Sequence, residues 1–202
     1  MFLRILGGSI YGALLLPDGR RALSWSGDAT LRLWDLESGE GRPLQGHGGS
    51  VNGALLLPDG RRALSWSDDE TLRLWDLESD EGRPLQGHGG SVNGALLLPD
   101  GRRALSWSLE HTLRLWELES GEGRPLQGHG GPVRGALLLP DGRRALSWSG
   151  DATLRLWDLA EQREFKRFIG DASITTVVPS AQGQLFLAGD ARGCVMVFDL
   201  PP

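Results

Sequence analysis

The sequence predicts an all-β fold built from about five four-stranded units stacked around an axis. Three observations predict it. A motif recurs every 41 residues, each period divides into four short strand-like segments, and the first of those segments is too apolar to lie on an open sheet.

The period comes first, because a repeat fixes the architecture before any single element does. Trp34, Trp75, Trp116 and Trp157 stand 41 residues apart, and the next step lands on Phe198 in CVMVFDL, a segment similar to TLRLWDL. Gly-His pairs recur at 46–47, 87–88 and 128–129, and PDGRR recurs at 17–21, 58–62, 99–103 and 140–144. On this phase the chain reads as a single domain over 1–202. Its repeats cover about 6–46, 47–87, 88–128, 129–169 and 170–202, and residues 1–5 supply a fourth strand that completes the last unit.

The second copy shows the elements in order. VNGALLL at 51–57 is a short apolar strand, and Pro58-Asp59-Gly60 carries turn chemistry. ALSWS at 63–67 and TLRLWDL at 71–77 are the second and third strands. ESDEG at 78–82 is a turn, and RPLQ at 83–86 is a short fourth strand. Four such segments read as an antiparallel meander. A helix over 61–81 is disfavoured because copies one and four place Gly27 and Gly150 mid-stretch, at a cost of about 1 kcal/mol each. The density of Trp, Thr and Leu also favours strands. GALLL lacks alternation, so its strand is expected to be covered on both faces. Packing sheet on sheet around an axis, as in a β-propeller, does this.

Composition narrows the function. Twenty-six acidic and 21 basic residues give a net charge of -5, which does not suit a nucleic-acid surface. Thirty glycines and eight tryptophans are the compositional biases. The lone Cys194 excludes an intramolecular disulfide and a multi-cysteine zinc site, and fits a reducing, cytoplasmic setting. MFLRILGGSIYGALLL has the look of a signal peptide, but GGSIYGALLLPDGRRALSWS recurs internally at 48–67 with two changes, so it is read as part of the repeat. No run is long enough to cross a bilayer as a helix. Neither nucleic acid nor membrane is expected as a partner, and no cofactor or metal is expected.

A Ser, a His and an acid recur at fixed offsets and imitate a hydrolase triad. They are His47, Ser65 and Asp69 with Trp75; His88, Ser106 and Glu110 with Trp116; and His129, Ser147 and Asp151 with Trp157. Three copies of one set suit a structural role better than a single catalytic centre. Buried polar groups need partners, and so does the indole N–H of a buried Trp. Ser67, Ser108 and Ser149 are neighbouring candidates for the serine. Copy one has Leu6 in place of His but keeps Ser24, Asp28 and Trp34. Copy five has Gly170, Ala188, Arg192 and Phe198 at the four places. The first and fifth units are therefore expected to be the least stable.

The sequence GH, a spacer and then S-x-S-x-D-x-T-L-R-L-W-D resembles the WD-repeat family of β-propellers. The resemblance implies a propeller of about five blades in which these residues form hydrogen-bonded tetrads tying turns to strands. It also implies a non-enzymatic protein- or peptide-binding scaffold, such as the sensor or interaction part of a bacterial signalling system. The near-identity of the copies is similar to bacterial WD-repeat arrays amplified recently, and also to consensus design. Seven blades are usual in the family. Five blades closing in one chain, ten shared by a homodimer, and part of a longer array all fit this sequence.

The places where the copies differ point to the binding face. Residues 14–26 are identical in the first four copies. Differences gather at Ser9, Ser50, Ser91 and Pro132, and at Tyr11, Asn52, Asn93 and Arg134. They gather also at Gly27, Asp68, Leu109 and Gly150, and at Ala29, Glu70, His111 and Ala152. In a meander these positions share one side. Exposed loops on a rigid scaffold carry function, so a partner face is expected at Tyr11, Asn52, Asp68, Asn93, Leu109, His111 and Arg134. Tyr11, Leu109 and Arg134 are its expected anchors. A ring without a ligand is the alternative reading, and a hydrolase the remote one.

Overall fold

The computed structural model describes residues 8–180 and 185–199. Among the described residues every regular element is a β-strand, and the strands form five antiparallel sheets. The first sheet, or blade, holds β1 (Ile10–Leu15), β2 (Arg21–Ser26), β3 (Leu31–Asp35) and β4 (Gly41–Leu44). The second holds β5 (Val51–Leu56), β6 (Arg62–Ser67), β7 (Leu72–Asp76) and β8 (Gly82–Leu85). The third holds β9 (Val92–Leu97), β10 (Arg103–Ser108), β11 (Leu113–Glu117) and β12 (Gly123–Leu126). The fourth holds β13 (Val133–Leu138), β14 (Arg144–Ser149), β15 (Thr153–Asp158) and β16 (Arg163–Ile169). The fifth holds β17 (Ile174–Pro179), β18 (Leu185–Asp190) and β19 (Val195–Asp199). The strand expected to complete this blade falls on residues 1–5, outside the described residues.

Local chemistry sets each meander. In Leu16-Pro17-Asp18-Gly19 the Gly19 N–H donates to the Leu16 carbonyl at 3.0 Å, and Gly19 has φ 67°. Pro pre-sets the first turn dihedral and Gly supplies the left-handed one. Asp18 Oδ1 then accepts the Arg20 and Arg21 N–H groups at 2.8 and 3.0 Å. Those hydrogen bonds, the largest from Arg20, hold its carboxyl down at about 2. Arg20 meets Glu37 at 2.7 Å and Arg21 meets Glu78 of the next blade at 3.1 Å, so the PDGRR and ESGEG turns share one side.

Alternation along the strands gives each blade two different apolar faces. In blade two, Leu55, Leu57, Leu64, Trp66, Leu72 and Leu85 point forward in chain order. They pack against Val92, Ala104, Trp116 and Leu118 of blade three. The same seam joins blades one and two, three and four, and four and five. First strands of successive blades touch one another, so they lie innermost and β4, β8, β12 and β16 lie outermost. Coverage of GALLL on both faces holds in blades two to four. In blade one Ile10, Ala13 and Leu15 are exposed, and among the described residues no blade packs against that side of β1.

Candidate functional site

The tetrads form as hydrogen-bonded chains. In blade two Trp75 Nε1–H donates to Ser65 Oγ at 2.8 Å, Ser65 Oγ meets His47 Nε2 at 2.7 Å, and His47 Nδ1 meets Asp69 Oδ2 at 2.8 Å. Blade four repeats this with Trp157, Ser147, His129 and Asp151, and blade three with Trp116, Ser106, His88 and Glu110. Ser Oγ has one proton, so accepting from Trp while donating to Nε2 leaves the His proton on Nδ1, facing the acid. Burial first of all lowers the pKa of all three histidines, against the carboxylate that raises it. Burial alone would raise Asp69, but hydrogen bonds from Thr71, the Gly48 N–H and His47 outweigh it and bring its carboxyl to about 2. Asp151 is driven lower still by the matching set.

This geometry closes the tetrads to catalysis. Ser65, Ser106 and Ser147 are fully buried, and each Oγ is engaged by both an indole and an imidazole. The neighbouring serines do different work. Ser67, Ser108 and Ser149 donate to the carbonyls of Gly49, Gly90 and Gly131. In blade five Asp190 takes that place and accepts the Arg192 N–H, while Ala188 replaces the tetrad serine. In blade one Trp34 donates to Ser24 at 2.9 Å, and Leu6 lies outside the described residues. No group of three or more His, Cys, Asp or Glu is gathered for a metal among the described residues.

The variable residues occupy two special backbone positions. Ile10 pairs with Ser26 and Gly12 with Trp25, which leaves Tyr11 as the extra residue of a β-bulge. Asn52, Asn93 and Arg134 are the extra residues of the same bulge in blades two to four. Opposite them, Ala29, Glu70, His111 and Ala152 have φ of 67°, 69°, 75° and 63°. That left-handed conformation costs a non-glycine residue roughly 1–2 kcal/mol. The two series meet at one rim, where Gly27 donates to the Ser9 carbonyl, Asp68 to Ser50, Leu109 to Ser91 and Gly150 to Pro132, all at 2.9–3.0 Å.

Residues on this rim divide into two groups. Asn52 Nδ2 donates to Asp68 at 2.7 Å and to the Val92 carbonyl of the next blade at 3.1 Å, and Ser91 Oγ also donates to Asp68. Asn93 donates to Val133 of the next blade at 3.1 Å. These side chains stitch blades together. Tyr11, Leu109, His111 and Arg134 are exposed. Tyr11 lies across Gly27, where a Cβ would come within 2.8 Å of its hydroxyl oxygen. A large residue at the bulge is thus paired with Gly in the turn.

The sequence placed Asn52 and Asn93 on the partner face and did not reveal their bonds across the seam, nor did it single out the second tryptophan of each copy. Trp25, Trp66, Trp107 and Trp148 lie flat on Gly12, Gly53, Gly94 and Gly135, where a Cβ would meet the ring within 2.4 Å. One signal was available: blade five replaces both partners at once, with Thr176 opposite Gly189.

The family model described as WD domain, G-beta repeat matches residues 40–76 and 122–158. The first match runs from β4 through β7 and the second from β12 through β15, each spanning the fourth strand of one blade and three strands of the next. No curated protein matches the chain. The matches lie two periods apart, and the copy between them has the same strands and the same tetrad. In this combination of repeat, sheet order and tetrad, the chain is similar to the WD-repeat family of β-propellers, and two of its copies match the WD-repeat model.

Proposed function

We propose that the rim formed by the bulges and the β2–β3-type turns docks a protein or peptide segment, with Tyr11, Leu109 and Arg134 as anchors and His111 beside Leu109. WD repeats serve in general as protein-interaction scaffolds. One observation carries the assignment to this rim: copies that are otherwise near-identical differ at the bulge residue and the left-handed turn facing it. Bulges re-aim side chains beside functional sites, and strained turns cluster there too. Leu109 is the one exposed large apolar side chain of blades two and three, and it stands at this rim. The amplified character of the copies supports placing the platform in a cytoplasmic bacterial signalling system, as its sensing or scaffolding part.

Selection of a random peptide library on the immobilised chain tests the rim. Selected peptides are expected to lose binding to a Tyr11→Ala/Leu109→Ala/Arg134→Ala variant. They are expected to keep binding to Arg61→Ala/Arg102→Ala/Arg143→Ala, which alters the opposite side. Equal binding to both variants sinks the proposal.

A further inference from the structure

One seam of the rim shows how this fold holds a carboxylate. In blade two Asp68, in the β6–β7 turn, accepts hydrogen bonds from two donors. They are Asn52 Nδ2 at the bulge of its own blade and Ser91 Oγ at the entry to the next. The repeat carries the same three places into the seam of blades four and five, where they hold Gly150, Arg134 and Ser173. Both donors are kept there, and the acceptor between them is replaced by glycine.

The two donors border Gly150. A Cβ built there would stand 3.7 Å from Ser173 Oγ and 3.8 Å from Arg134 Nε, both ordinary contact distances. Ser173 Oγ is buried and has no hydrogen-bond partner among the described residues. A buried hydroxyl in that state calls for an acceptor. Arg134 is exposed and meets no acid among the described residues. The other seams do not show this pair of unmet donors. In blade one the Tyr11 ring covers Gly27, and Ser50 Oγ donates to the Gly27 carbonyl at 3.5 Å. In blade three Leu109 takes the place of Asp68 and Pro132 that of Ser91, and neither has a side-chain donor.

We propose that the notch at Gly150 binds the side-chain carboxylate of an acidic residue in a docked protein segment, with Arg134 and Ser173 as its two donors. This rests on the reading of the rim as a docking surface and names what one part of that surface recognises. The incoming oxygen takes the place that Asp68 Oδ1 holds in blade two. It accepts from the guanidinium where Asp68 accepts from Asn52, and from the hydroxyl where Asp68 accepts from Ser91. An ionised acceptor makes both bonds charge-assisted, and the planar guanidinium suits a carboxylate. Asp68 is exposed, and the matching place in blade four opens to solvent as the exposed Arg134 side chain lifts from Gly150 by a rotamer change.

The test titrates the isotope-labelled chain with N-acetylglutamate α-amide, whose one charge is the side-chain carboxylate, with the matching glutamine compound, and with inorganic phosphate. NMR follows the Gly150 and Ser173 amides and the Arg134 Nε–H. The glutamate compound is expected to shift all three saturably. It is expected to bind about tenfold tighter than the glutamine compound, the margin of a charge-assisted over a neutral hydrogen bond. Gly150→Asp restores the internal carboxylate of blade two at a position outside the positive-φ set, and is expected to remove the response. Arg134→Gln is expected to weaken it by about tenfold, and circular dichroism checks both folds. No saturable shift, equal binding of the two amides, a preference for phosphate, or an undiminished response in folded Gly150→Asp would each overturn the proposal. Library peptides that depend on Tyr11, Leu109 and Arg134 yet carry no acid would overturn it too, and would leave the rim a docking surface. Saturable glutamate binding without any rim-dependent peptide would remove the docking surface and keep the carboxylate site.

Discussion

Two hydrogen bonds converge on Ser106 Oγ, one from Trp116 and one shared with His88, and both partners are buried. Ser106→Ala strands both, at about 1–3 kcal/mol for each unsatisfied group, so a loss of about 2–6 kcal/mol is expected. Ser24→Ala strands the Trp34 indole and is expected to cost about 1–3 kcal/mol. Urea denaturation of the two variants measures the difference, and equal losses would contradict the tetrad account. The histidines add a pH dependence. Their pKa is lowered in the fold, so the unfolded chain binds more protons once pH falls below the ordinary value of 6.5. Stability is therefore complete above 6.5 and declines below it, until the folded-state pKa is passed. Asp69 extends the decline as pH falls from 3.8 through about 2. A melting temperature that does not fall between neutral and mildly acidic pH argues against neutral histidines. The set of four residues was legible because it recurs with its spacing intact. Which serine belongs to it was not, because Ser65 and Ser67 lie on the same face of one strand and only the cross-strand partner separates them.

At the scale of the element, strand limits were legible to within a residue or two because Pro-Asp-Gly punctuates copies one to four, and Glu-Ser-Gly or Glu-Ser-Asp copies one to three. The bulge was not legible, since a register shift is a property of two paired strands and Tyr11 or Asn52 carries no mark of it alone. Its consequences separate binding from stability. Asn93→Ala removes the bond to the Val133 carbonyl across the seam and is expected to cost about 1 kcal/mol. Tyr11→Ala, at a 54% exposed position, is expected to leave the urea midpoint unchanged. Gly94→Ala is the sharper probe. Its Cβ would sit 2.1 Å from the Trp107 ring, and overpacking of this kind typically costs 1–3 kcal/mol, so a loss of about that size is expected. A neutral Gly94→Ala would mean that the ring moves freely and that the Gly–Trp pairing does not set the inner edge of the blade.

For the whole molecule, five blades followed from the period, while the open faces did not. Burial depends on what lies across a seam, and GALLL reads the same in β1 as in β5 although one is exposed and the other covered. In a stacked array each unit leans on its neighbours, so protection is expected to follow the seams. Blades two to four have a seam on both sides and a complete tetrad. Among the described residues blade one has no blade behind β1, and blade five has neither a blade in front of it nor the tetrad. Amide exchange is therefore expected to be slowest in β6, β10 and β14 and fastest in β1, β18 and β19. Uniform protection across all five blades would contradict the seam argument itself.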